Sequence, residues 1–234
     1  MSTKVVVMGG SSGIGEAVAR QFASIGAEVV IAGRNASRLE DAVRRLGNVC
    51  GEVADGSSEE SCRRLFEAVG AFDYLVLTLS GGRGAGPIAS IALEDIRSGF
   101  EAKFFAQLIT LRSALPYVKG SVTFVSAATA TTAMPGTAGL AAINGAIESL
   151  ARVLAAELAP VRVNCVRPGV IDTPWWDNMP KEFKAGVFAQ TAQTLPVKRV
   201  GKPDDVAAAI VMAASNGFIS GAVVDVSGGG TLAR

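Results

Sequence analysis

Histidine is missing from all 234 residues. Its absence removes the commonest general base, the commonest metal ligand and every Ser-His or Cys-His pair, so no metal site is expected. Tyrosine is scarce, with only Tyr74 and Tyr117, and the two tryptophans, Trp175 and Trp176, are adjacent. The three cysteines, Cys50, Cys62 and Cys165, show no paired spacing, which suits a reducing compartment. Charge of one sign is lacking too: 22 Lys and Arg stand against 21 Asp and Glu. No basic block marks a nucleic-acid partner. The apolar stretches are broken by Gly, Arg and Asp before the ~18 residues a membrane span needs. From Met1 the chain passes into a strand without the pattern of a secretory leader, and the expected location is the cytoplasm.

What is present is a chain built for a large core. Apolar residues make up 49% and charged residues 18%, which excludes a disordered chain. Val5-Val6-Val7 reads as a buried strand, followed by a Gly-rich loop and a helix from Glu16 to Ile25. Strands at 28–32, 48–53, 74–79, 121–125, 161–166 and 222–226 alternate with helices at 36–46, 59–69, 93–115, 139–158 and 203–214. The segment 172–193 reads as a loop with a short helix. There is no internal repeat and no linker, so one domain over 1–234 is expected. The alternation calls for an α/β fold, a doubly wound parallel sheet flanked by helices on both faces. Its ligand then lies at the carboxyl ends of the strands, at the topological switch point.

The loop after the first strand reads Gly9-Gly10-Ser11-Ser12-Gly13-Ile14-Gly15 and opens the first helix. Glycines let backbone N–H groups approach a pyrophosphate, which the helix N-terminus also attracts. The spacing Gly9-x-x-x-Gly13-x-Gly15 is by itself a weak signal, but the strand-loop-helix context strengthens it.

This loop resembles the glycine motif of the short-chain dehydrogenase/reductase family, with Met8 in place of its threonine. Glu52-Val53-Ala54-Asp55 resembles the stretch that holds the adenine edge. Arg167-Pro168-Gly169-Val170-Ile171-Asp172-Thr173-Pro174 resembles the motif at the nicotinamide end. Arg199 to Val206 and Ser227-Gly228-Gly229 match the family's C-terminal signature. The resemblance runs along nearly the whole chain. It implies a Rossmann-type fold and a cofactor held by Gly9, Ser11, Ser12, Gly13, Ile14, Gly15, Val53, Ala54, Pro168, Gly169, Val170, Ile171 and Thr173. It also implies a small-molecule substrate, a mobile lid around 172–195, and a homodimer or homotetramer formed through the two long helices.

Cofactor choice is read at the end of the second strand, Ile31-Ala32-Gly33-Arg34-Asn35. A carboxylate there would bond the ribose 2′-hydroxyl. Here Arg34 offers a planar fork for a phosphate, with Asn35 beside it and Ser11 able to add a hydroxyl, so the cofactor is read as NADP(H).

The family reduces carbonyls with a Tyr acid, a Lys that lowers its pKa, a Ser that polarises the oxygen and an Asn that anchors a water. Local register puts Leu140 at the tyrosine position, Asn144 at the lysine, Ala127 at the serine and Lys103 at the asparagine. All four are replaced, and Lys and Asn are exchanged. Lys103 is then either a solvated helix lysine or a cation reaching the space the usual lysine occupies, next to Asn144 under the nicotinamide ribose.

Trp175 and Trp176 follow the nicotinamide motif, either as a stacking wall for an aromatic or cyclic substrate or as packing for the lid and a subunit contact. Thr129 and Thr131 can supply hydroxyls, and Arg83 in the loop 81–86 is a candidate to face the substrate. Without a Tyr acid, simple ketones are poor substrates. An activated acceptor such as a quinone, conjugated enone or cyclic imine suits an NADP(H)-dependent oxidoreductase of this kind. The alternatives are a non-catalytic NADP(H)-binding sensor or scaffold, and a non-redox enzyme on the same fold.

Overall fold

A computed structural model of the chain describes residues 2–232. Met1, Ala233 and Arg234, the ends of the expected 1–234 domain, lie outside the described residues, as does the Asn178 side chain. The strands are β1 (Lys4–Met8), β2 (Glu28–Gly33), β3 (Cys50–Val53), β4 (Phe72–Leu77), β5 (Val118–Val125), β6 (Arg162–Pro168) and β7 (Val223–Val226). They form one seven-stranded sheet in the order β3-β2-β1-β4-β5-β6-β7. Every pairing is parallel. The chain moves outward from β1 to β3, then returns to lay β4 against the other side of β1. The crevice between β1 and β4 is therefore the switch point.

The alternation of side chains along β1 assigns the two cores. Val5 and Val7 face α1 (Gly13–Ser24), α2 (Ala36–Leu46) and α8 (Pro203–Ser215), where Phe22, Leu39 and Ile210 are buried. Val6 and Met8 face α3 (Glu59–Val69), α5 (Ala106–Ala114) and α6 (Ala138–Glu157), with Phe66, Leu111 and Ile147. A run of β-branched residues buried on both faces is the expected composition of such a strand. α2 begins where Asn35 Oδ1 accepts the Arg38 N–H at 2.9 Å, so Asn35 acts as a helix cap.

Three elements depart from expectation. The helix expected over 93–115 is α4 (Leu93–Gly99), a π-helical segment (Phe100–Phe105) and α5. π turns insert an extra residue into the helical ladder and re-aim side chains. Here the segment leaves Phe105 exposed and encloses Lys103. The segment after β6 carries a helix of 14 residues, α7 (Lys181–Thr194), longer than the short helix expected there. Its only fully buried residue is Thr191, so no clear apolar stripe announces it. Finally, α6 is an exception to the absence of long apolar stretches. By length and composition it is apolar enough to cross a membrane, but Ile147, Ala151 and Leu154 of its inner face are buried in the core with β5 and β6 residues.

Candidate functional site

The nucleotide end of the site is made by close approach at the switch point. Gly9 and Gly13 have φ of +83° and +57°, which favour glycine. A Cβ on Gly15 would sit 2.3 Å from the Gly9 carbonyl oxygen and 2.6 Å from Thr78 Oγ1. Thr78 Oγ1 donates to the Met8 carbonyl at 2.7 Å, closing the floor of the loop where β4 ends. The helix N-cap, Ser12, makes no side-chain hydrogen bond to the first turn of α1. The first-turn N–H groups are therefore uncapped by their own helix, and a pyrophosphate fits them. Ser11 lies over Gly33 at the end of β2.

Arg34 is exposed and shares a cleft of about 320 Å³ with Asp55, Gly56, Leu79 and Ser80. Burial alone would raise the Asp55 carboxyl. The Ser57 backbone N–H and hydroxyl, with the Arg34 charge, outweigh burial and hold it below its usual value. Ala54 is buried and donates its N–H to the Gly33 carbonyl, while the Val53 side chain is exposed. At the other end Thr173 lies beside Gly13, and Gly169 is packed so tightly on Ser227 that a Cβ would meet it at 2.8 Å. Pro168 ends β6, and Ile171 bridges to Gly201. Val170 accepts the Gly201 N–H. The loop meets the Pro168–Thr173 segment where Thr173 lies beside Gly13, and it meets the end of β2 before Arg34 where Ser11 lies over Gly33, so these residues could together hold a dinucleotide carrying a 2′-phosphate.

Lys103 is 9% exposed. Its Nζ donates to Asn144 Oδ1 at 2.7 Å and to the Ser126 carbonyl at 3.0 Å. Asn144 Nδ2 donates to Thr129 Oγ1 at 3.0 Å and to the Leu140 carbonyl at 2.8 Å. The amide can face only one way: reversed, its NH₂ would meet the ammonium and its oxygen would meet the Leu140 carbonyl. Burial lowers the Lys103 ammonium to about 8, against the pull of neighbouring Cys165 and Glu148. Burial also raises the Cys165 thiol to about 11, so at neutral pH the thiol beside Lys103 is uncharged.

Sequence reasoning missed the layer beneath. Ser126 Oγ donates to Glu148 Oε1 at 2.8 Å, and Arg167 grips the same carboxylate through two hydrogen bonds of 2.7 and 2.6 Å. The Arg167 and Glu148 side chains are 12% and 7% exposed. Glu148 is one helical turn beyond Asn144, and Arg167 precedes the Pro168-Gly169 pair, so their spacing was the only signal. Thr78 was missed as well; only its place at the end of β4 pointed to it.

The two tryptophans after β6 meet edge-on, with ring centroids 4.9 Å apart, but have different partners. Trp176 donates its indole N–H to the Ile171 carbonyl at 2.9 Å and packs edge-on to Phe188, with ring centroids 5.4 Å apart. It holds the lid. Trp175 is 37% exposed and its indole nitrogen approaches Gly82, across from the lid. Arg83 corrects an expectation: it turns away to Asp95 at 3.1 Å and is exposed. Neither tyrosine is available, since Tyr74 packs on Phe22 and Tyr117 stacks on Phe66. Ala127 and Leu140 are half-buried beside this polar group and bring no ionisable atom.

A family model described as enoyl-(acyl carrier protein) reductase matches residues 9–231. A glucose 1-dehydrogenase of Gluconobacter oxydans is 32% identical, over 98% of this chain and 92% of that protein. The chain belongs to the short-chain dehydrogenase/reductase family. A small-chain dehydrogenase solved in complex with NADPH is 34% identical with a TM-score of 0.88, covering 99% of this chain and all of that one. A short-chain oxidoreductase of Pseudomonas aeruginosa, solved with NADPH and described as containing an atypical catalytic center, is 29% identical with a TM-score of 0.88. It covers 97% of this chain and 96% of its own. Membership accounts for the sheet order and for the switch point between β1 and β4.

The buried lysine has a measurable signature. Its folded pKa, about 8, lies below the unfolded value of 10.5. Between those values the unfolded chain binds the extra proton, so stability rises with pH there. Below pH 8 the ammonium is charged in both states and the desolvation penalty, on the order of 3 kcal/mol, is fully present. The wild-type unfolding free energy is therefore expected to climb relative to Lys103→Met as pH rises from about 8 to about 10. Below that window the difference between the two proteins is expected to stay constant. Urea unfolding of both proteins across this range measures it; parallel curves would mean that Lys103 is solvated.

Proposed function

We propose that this chain is an NADP(H)-dependent reductase of acceptors that need no strong acid: quinones, conjugated enones or cyclic imines. The observation that carries the reading is the Lys103–Asn144 hydrogen bond of 2.7 Å, a buried cation at family positions where Ala127 and Leu140 supply no acid. NADPH, when bound, supplies a hydride. The first turn of α1 holds its pyrophosphate, Arg34 pairs with its 2′-phosphate, and the Pro168–Thr173 segment borders its nicotinamide end. Leu140 and Trp175 give the acceptor an apolar wall and keep water from it.

A ketone reduced to an alcohol needs a proton on its oxygen. A positioned acid typically contributes ~10²–10⁴-fold to such a step. An acceptor whose product is a delocalised anion, or which arrives protonated, escapes that requirement. Lys103, largely an ammonium at neutral pH, lowers the potential energy of negative charge nearby. One observation favours a binding-only protein: Lys103 and Asn144 satisfy much of each other's hydrogen-bonding capacity, as structural pairs do. We also propose a homodimer or homotetramer, because Phe105 on the π segment and Val153 on α6 are 40% and 55% exposed on the two long helices.

Loss of reduced-nicotinamide absorbance is expected with members of the quinone, enone and cyclic-imine panel and not with simple ketones. Tight NADPH binding with no turnover on any of them would decide for the binding-only protein. Arg34→Ala is expected to weaken NADPH by roughly 1.5–3 kcal/mol while leaving NADH affinity unchanged. Equal loss for both cofactors in titrations would remove Arg34 from the phosphate. Light scattering at micromolar concentration is expected to return two or four times the chain mass of 23.9 kDa; a monomer mass would refute the assembly.

A further inference from the structure

The connection from β5 to α6 carries five hydroxyl side chains, and they differ in where their protons go. Ser126 donates to Glu148 at 2.8 Å, Thr132 to the Ala128 carbonyl at 3.1 Å and Thr137 to the Met134 carbonyl at 2.7 Å. Thr131 reaches the Ala128 carbonyl at 3.5 Å. Thr129 alone is on the receiving side: its Oγ1 accepts from Asn144 Nδ2 at 3.0 Å, and among the described residues its own proton meets no acceptor. It stands on the 3₁₀ turn Ala128–Ala130, half-buried, two residues past Ala127.

The hydrogen bonds leading to it all run in one direction. Lys103 Nζ donates to Asn144 Oδ1, and Asn144 Nδ2 donates to Thr129 Oγ1. The amide orientation is set by the ammonium on one side and the Leu140 carbonyl on the other. A chain of donors headed by a cation polarises each following bond and makes the last O–H a stronger donor.

We propose that Thr129 is the catalytic hydrogen-bond donor of this site, the group that meets the negative oxygen formed on the acceptor, and that Lys103 and Asn144 act on the acceptor through it. The proposal rests on the reductase reading and narrows it. An amide passes polarity but not a net proton, so Thr129 keeps its proton throughout. With a conjugated enone or quinone, a C–H bond forms at the electrophilic carbon from the hydride that NADPH gives up. The displaced π pair moves to the carbonyl oxygen, and Thr129 O–H holds that oxygen as an enolate. Solvent then supplies the one proton that balances the reduction, leaving NADP⁺. A donor hydroxyl backed by an ammonium repels a cation. The acceptor class is therefore the conjugated carbonyl compound rather than the iminium ion.

The test needs no turnover. The NADP⁺-saturated protein is titrated with 4-nitrophenol, whose anion imitates the enolate oxygen and whose absorbance distinguishes phenolate from phenol. Nitrobenzene, which has no such oxygen, is the control. Wild type is expected to bind the phenolate and to lower the bound probe's pKa. Thr129→Val is expected to lose about tenfold or more in phenolate affinity, the scale of one hydrogen bond to a charged group. Thr129→Ser is expected to retain most of it, and all are expected to bind nitrobenzene alike. Thr129→Ala repeats the comparison should the valine variant fail to give a native circular dichroism spectrum. Wild-type phenolate affinity in Thr129→Val, equal loss of nitrobenzene, or binding of the probe only as neutral phenol would each overturn the proposal. Inactivity on the acceptor panel defeats the reductase reading through a different measurement, so the two failures remain distinguishable.

Discussion

An ammonium group enclosed between a helix and a sheet persists only when acceptors surround it, and the centre of this molecule is arranged around that requirement at Lys103. The π turn aims the side chain inward. β5 ends so that the Ser126 carbonyl is turned toward it, and α6 brings Asn144 Oδ1 to 2.7 Å. Once the amide oxygen is taken by the cation, the amide nitrogen has to find acceptors, and it finds the Leu140 carbonyl and Thr129. One buried charge therefore orders residues from three elements. The cost of burial is visible in the lowered pKa, so the arrangement is retained against its own desolvation penalty.

Glu148 and Arg167 form a second buried charge layer, which explains how the first is tolerated. The Glu148 carboxylate, bonded by Ser126 and by the Arg167 fork, lies beneath the cation and pulls its pKa upward against the larger effect of burial. Such a pair is weak evidence for stability but strong evidence for position, because removing either partner strands a charge at a cost of ~3–5 kcal/mol. Arg167 also stands next to Pro168 and Gly169. The polar layer under Lys103 is thus joined through β6 to the Pro168–Thr173 segment.

At the other side of the crevice, the constraint is steric. Gly15 passes so near Gly9 and Thr78 that no larger residue fits, and the uncapped first turn of α1 is left facing the switch point. The sheet order places that turn and the end of β5, which leads to the polar group of Lys103, on the same edge of the sheet.

Much of this was legible in the sequence alone. Alternating apolar runs, the glycine loop, Arg34 after the second strand and the Pro168–Thr173 motif each depend on a few neighbouring residues, so pattern and spacing suffice to read the fold class and the cofactor crevice. Register alone put Lys103 and Asn144 on neighbouring helices. What only the tertiary structure decided concerns side chains far apart in the chain. The π turn that aims Lys103, the roles that divide Trp175 from Trp176, the turn of Arg83 toward Asp95, the Ser126–Glu148–Arg167 layer and the free proton of Thr129 all depend on distances set by packing. Hydrogen-bond direction in particular belongs to no single residue. It follows from which acceptor is already taken, and that is settled only when the helices and the sheet have closed on one another.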